Sequence, residues 1–237
     1  MSEDKKLLVT LTGEVFHPTR LYYHVPKKDA LRRLFAKLDC MDYDKDGDRW
    51  VWLYTGKAKR LKFSQSHTPV PKHLQPIVLG SFFLRAGKEA HFDLRSFERA
   101  TKAVVFFDKH IPRNVASVTD IAVVNACFEV SENPPPDLGQ FFGSGKAKRK
   151  RPDDLLEELR SFKEITDLSE RRSQVFSFIE GRARESLPEV ERFPVLYYEE
   201  GIKTLETSLS MRDRVALEHW KGNKDFSLLD LINKIIP

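Results

Sequence analysis

Three groups of residues in this sequence have the types and spacing to do chemistry. The run DYDKDGD places Asp42, Asp44 and Asp46 at alternate positions before Gly47 and Asp48. Alternating carboxylates followed by glycine open a calcium loop, and paired carboxylates such as Asp42 and Asp44 can hold Mg²⁺ against a scissile phosphate. A calcium loop wants a bidentate Glu at its twelfth position, and Leu53 stands there; Asp and Gly are equally the residues of an ordinary turn. The second and third groups are two copies of GKAKR, at 56–60 and 145–149. The first supplies Lys57, Lys59 and Arg60, with Lys62 following. The second begins the block Lys146, Lys148, Arg149, Lys150 and Arg151, five cations in six residues. Such a block repels itself unless counterions or phosphates neutralise it, and counterion release drives binding to nucleic acid. The alternatives are a solvated linker or a nuclear-localisation signal.

Other chemistry is excluded or weakly supported. GSGK is not a phosphate-binding loop: Gln140 stands where that pattern needs Gly, and Ala147 where it needs Ser or Thr. The seven histidines show no HExxH and no zinc-finger spacing. His91-Phe-Asp93 could orient an imidazole on a carboxylate, and Ser64 and Ser66 lie near His67, but no GxSxG elbow occurs. Cys40 and Cys127 are too few for a disulfide framework or a four-thiolate site; they read as buried free thiols in a reducing, cytoplasmic setting. No run approaches the roughly 18 apolar residues of a membrane span, and MSEDKKLLVTLTGEVF lacks the flanks of a secretory signal.

The elements that must position these residues divide at SENPPPDLGQFFGSGKAKRKRPDD, whose prolines and glycines exclude strand and helix interiors. The expected organisation is an α+β domain over 1–130, mostly antiparallel sheet with two helices, a basic linker over 131–152 and a small all-α domain over 153–237. In the first part, KLLVTLTGEVF, LYYHV, RWVWLYT, RLKF, PIVLGSFFLR, HFDLR and TDIAVVNACFEV read as strands. Leu31, Leu34, Phe35 and Leu38 form one helical stripe, and Ser96 can cap a second helix ended by Pro112. In the last part, Leu155, Leu159 and Phe162, then Val175, Phe176 and Ile179, then Ile202, Leu205 and Leu209, then Leu228, Leu229 and Ile232 recur at helical spacing.

The first GKAKR is expected in a hairpin joining RWVWLYT to RLKF. With a four-residue loop, Trp50, Trp52 and Tyr54 form a core face and the bases lie outside. With a three-residue loop, Tyr54 and Trp52 oppose Arg60 and Lys62 in an aromatic and cationic platform for single strands. Burial of large aromatics favours the first. Lys57, Lys59 and Arg60 are exposed in both.

Charge is uneven along the chain. Residues 1–130 carry 22 Lys+Arg against 15 Asp+Glu, residues 131–152 carry 5 against 2, and residues 153–237 carry 13 against 18. A basic front and acidic back suggest a polyanion partner, or docking of the halves on each other. In the linker, PDLGQFF spaces Leu138, Phe141 and Phe142 as aliphatic-x-x-aromatic-aromatic, with basic residues following. This resembles a degenerate sliding-clamp-binding box, with Pro135 where that box usually has Gln. The other reading is that these three residues pin the linker to a domain.

The sequence thus leads to an expected non-enzymatic protein that binds DNA or RNA. Lys57, Lys59, Arg60, Lys62 and Lys146 to Arg151 would contact phosphate, and the acidic helical part would dock a protein partner. The alternatives are a metal-dependent (Mg²⁺ or Mn²⁺) nuclease or phosphotransferase using Asp42 and Asp44, and a scaffold that binds no nucleic acid; a bound Ca²⁺ in the acidic loop is the other metal expectation.

Overall fold

A computed structural model describes residues 5–63, 70–131, 137–143, 148–149 and 152–235. Seven strands built from alternating sequence pair antiparallel: β1 (Thr19–His24), β2 (Met41–Asp44), β3 (Arg49–Leu53), β4 (Val78–Leu84), β5 (Glu89–Leu94), β6 (Ser117–Val124) and, far along the chain, β8 (Val190–Pro194). The two-residue β7 (Lys148–Arg149) runs parallel to β8, giving the order β2-β3-β4-β5-β1-β6-β8-β7. Helices α1 (Lys28–Phe35) and α2 (Phe97–His110) interrupt the first six strands. Then come α3 (Leu138–Phe142), α4 (Pro152–Ser161), α5 (Leu168–Arg184), α6 (Tyr197–Glu200), α7 (Ile202–Trp220) and α8 (Leu228–Ile235). The architecture is mixed α+β.

Strand parity builds the core. Leu21 and Tyr23 of β1, Trp52 of β3, Phe82 of β4, Phe92 and Leu94 of β5 and Ile121 and Val123 of β6 are buried in one cluster with Leu31 and Phe35 of α1. Ala100, Ala103, Val104 and Phe107 of α2 join it. The Phe107 ring lies 5.2 Å from both Trp52 and Phe92, edge-on to the latter. Gly80 lets β4 approach β5: a Cβ there would sit 2.7 Å from the Phe92 ring. The Ser96 side chain caps α2 as its sequence predicts, accepting from the Arg99 N–H at 3.1 Å.

Several expectations change: KLLVTLTGEVF makes only the isolated bridges Leu7↔Glu129 and Val9↔Val15, RLKF is not a strand, and the segment expected as a linker holds α3 and β7. No hairpin spans 55–60, because β3 pairs with β2 on one side and β4 on the other. Instead Gly56–Arg60 is a 3-10 turn with Ala58 fully buried. Gly56 has φ +46°, and the Asp39 carboxylate accepts the next N–H, that of Lys57, at 3.0 Å. A Cβ on Gly56 would lie 2.2 Å from Asp39 Cγ, so only glycine fits. Both hairpin registers fall with it, although Trp52 is fully buried and Trp50 and Tyr54 pack against the core.

The segment 153–237 is mainly helical but also contributes a strand. Pro188 precedes β8 and Pro194 ends it, and along it Glu191 is buried while Arg192 turns to the other face. Glu191 accepts from Asn125 Nδ2 at 2.9 Å, beside Arg212 of α7. Leu205 and Leu209 of α7, with Val195, belong to the same core cluster as Trp52 and Phe107. Val215, Phe226 and Leu231 form a smaller cluster where α7 meets α8.

Candidate functional site

The first GKAKR becomes a rigid cationic turn. Ala58 anchors it from below and Asp39 holds its first N–H, while Lys57, Lys59, Arg60 and Lys62 are all exposed. Among the described residues none of the four is paired with a carboxylate. Of the second copy, Lys148 and Arg149 form β7, on the edge of the sheet; Lys146, Lys150 and Arg151 lie outside the described residues, as do Ser64, Ser66 and His67.

The acidic run is the β2–β3 turn. Asp44 accepts from Arg49 Nε at 2.8 Å and from the Gly47 N–H at 3.2 Å, and Tyr43 donates to Asp48 at 2.8 Å. The hydrogen bond from Arg49 holds the Asp44 carboxyl below the usual carboxylate range. Asp42 and Asp46 are exposed. Among the described residues no three His, Cys, Asp or Glu side chains are grouped as a metal's ligands. Phe142 of α3 is buried, and Leu138 and Phe141 pack with it against Ala122 and Val124 of β6. These three side chains are therefore occupied within the chain.

The His91–Asp93 pairing suggested by sequence is engaged elsewhere. Asp93 accepts from Arg20 Nε and Nη2 at 2.6 and 2.8 Å, leaving His91 Nε2 3.9 Å away. His17 stacks on Phe97 and lies 2.9 Å from Asp213, while Ser96, nearby, is committed to its cap and to Glu14. Burial pushes the Cys127 thiol up to about 12 and raises Cys40 as well, so neither is an activated nucleophile.

Sequence reasoning missed the second face of the sheet, where α1 and α2 do not lie. Cross-strand register aligns Phe83, His91, Tyr22 and Asp120 in one row across four strands. Arginines lie over this row. Arg192 of β8 sits 3.6 Å above the Tyr22 ring and 3.2 Å from Asp120. Arg85 sits 5.5 Å over the Phe83 ring, and its Nε donates to His91 Nδ1 at 3.2 Å. Phe83 and His91 stack at 4.9 Å. Burial, reinforced by Arg20 and Arg85, pushes His91 down to about 3, so the ring is neutral and accepts. A β-bulge falls in the β1–β6 register between Tyr22 and Tyr23, leaving Thr119 out of step; its hydroxyl donates to Tyr22 O at 3.3 Å. The strand periodicity held half the signal for this face, since Tyr22, Phe83 and His91 occupy the outward positions of alternating strands. The arginines that complete it come from a hairpin tip and from β8.

Compared with family models, with curated proteins and with solved structures, the chain matches none of them.

Proposed function

We propose that this chain is a nucleic-acid-associated protein that acts by binding, with the turn Lys57 to Lys62 as its phosphate contact. The observation that carries the reading is four exposed cations on a turn fixed by a buried alanine and by Asp39, with no carboxylate partner among the described residues. Cations carried on a backbone turn already fixed need no backbone ordering when a phosphate binds, and unpaired ones need not first break an ion pair. Lys148 and Arg149 lie in β7 at the sheet edge, and the basic block they belong to would extend the contact. Such contacts position a nucleic acid without reading its sequence. The exposed Leu168, Phe176 and Ile179 of α5 support a protein partner on the acidic C-terminal part.

Fluorescence anisotropy with labelled DNA and RNA across a salt series tests the reading. Replacing Lys57, Lys59, Arg60 and Lys62 by Gln should reduce the log–log salt slope for a duplex by about 3 to 4 if all four touch phosphate. An unchanged slope removes the turn from the interface, and no binding at low salt ends the nucleic-acid reading.

A further inference from the structure

A cleft of about 390 Å³ opens on the second face of the sheet, bordered by Tyr22, His24, Arg85, Glu89, His91 and Arg192. From its size and its mixture of groups we infer that it receives one unpaired nucleotide, which makes single strands the preferred ligand. This deepens the nucleic-acid reading and rests on it.

Four observations carry the inference. Arg192 and Arg85 are each laid over an aromatic ring of the sheet, at 3.6 and 5.5 Å, and both line the cleft. A guanidinium over an aromatic ring offers a planar cation on which a base can stack, and the ring beneath helps to hold it in place. Second, the lining pairs donors with acceptors. Arg85, Arg192 and His24 share the lining with Glu89, Thr119, whose hydroxyl donates to Tyr22 O, and Asp120, which already holds Arg192. A base edge needs both kinds of partner, whereas a site for phosphate alone would carry cations only. Third, the bulge at Thr119 breaks the pairing register beside Tyr22, and bulges re-aim side chains next to binding sites. Fourth, Lys27, Lys28, Arg33 and Lys88 line an adjoining hollow around the β4–β5 hairpin, and Lys28 Nζ donates to Arg85 O. A strand with its base in the cleft would lay its phosphates along these cations. In a duplex each base is paired and stacked, and entering a cleft of this size would require breaking that pair.

The cleft and the Lys57 to Lys62 turn lie at opposite ends of β4, about 20 Å apart by the strand rise. Their contributions can therefore be separated. The test measures anisotropy with a labelled oligothymidylate and with the same strand annealed to its complement, for the wild type and three variants. Arg85→Ala removes an exposed platform whose polar side-chain partner among the described residues is neutral His91. Arg192→Lys keeps a cation beside Asp120 and removes the planar group. The third variant replaces Lys57, Lys59, Arg60 and Lys62 by Gln, and circular dichroism confirms that all three fold. Arg85→Ala and Arg192→Lys should each weaken single-strand binding on the order of tenfold and leave duplex binding nearly unchanged. The turn variant should weaken both. Equal affinity of the wild type for strand and duplex, or normal single-strand binding by both arginine variants, overturns the cleft assignment while the nucleic-acid reading stands. No binding to either ligand at low salt overturns both.

Discussion

Two residues show how far the fold depends on buried charge. Arg99 is 1% exposed, donates to Glu14 at 3.0 Å and to Thr12 at 2.6 Å, and reaches the carbonyls of Val78 and Leu79. It fastens the N-terminal segment and the edge of β4 to the start of α2. Burial alone would raise the Glu14 carboxyl, but Arg99, Thr10 and Thr12 outweigh it and hold the group below its ordinary range. Arg99→Met leaves that carboxylate buried and unpaired, and urea denaturation should show a loss of about 3–5 kcal/mol. Glu14→Met combined with Arg99→Met should lose less than Arg99→Met alone, because no orphaned charge remains. His91 sets a pH dependence. Its folded value of about 3 lies below the ordinary 6.5, so the unfolded chain takes up a proton that the folded chain refuses. The stability this confers is complete above pH 6.5 and drains away as pH falls towards 3. Melting temperatures of wild type and His91→Gln should therefore converge on acidification through this window. Parallel curves would show that His91 does not titrate as its surroundings require.

Elements were legible where their signal was local. The α1 stripe, the Ser96 cap and the Trp50–Trp52 strand follow from a few neighbouring residues, and each lies where its periodicity puts it, although α1 ends at Phe35 and Leu38 is buried from the turn beyond it. The turn at Gly56 was not legible, because its conformation depends on Asp39, on the far side of β2 and β3 in sequence. Strand β8 was hidden for a related reason. Five residues between prolines, set among helical stripes, carry too little alternation to stand out, and their partner β6 is remote. The cleft was least legible of all, since each contributor is an ordinary polar position until the register places them side by side. Helix α7 tests how tightly the late elements are bound to the early ones. Leu209 is 1% exposed and packs in the cluster that holds Trp52. Leu209→Ala should cost about 2–5 kcal/mol. In a Trp220→Phe background, where Trp50 and Trp52 of β3 report the sheet alone, tryptophan fluorescence and helical circular dichroism should shift together on denaturation; a fluorescence transition that stays in place while the helical signal moves would mean that α7 unfolds independently of the sheet.

At the scale of the molecule, one sheet divides two roles. Its inner face is aromatic and aliphatic and supplies the core with α1, α2 and α7. Its outer face carries arginines over rings, closed at one end by α3 through Phe142, Leu138 and Phe141. The register Asp120↔Pro194 to Val124↔Val190 joins a strand made early in synthesis to one made late. Until the second has left the ribosome, β6 presents a bare edge and Tyr22 has no guanidinium above it. The nascent chain would thus expose a sticky edge before Arg192 could reach the Tyr22 ring, and the later strand would both seal that edge and complete the row of guanidiniums over rings.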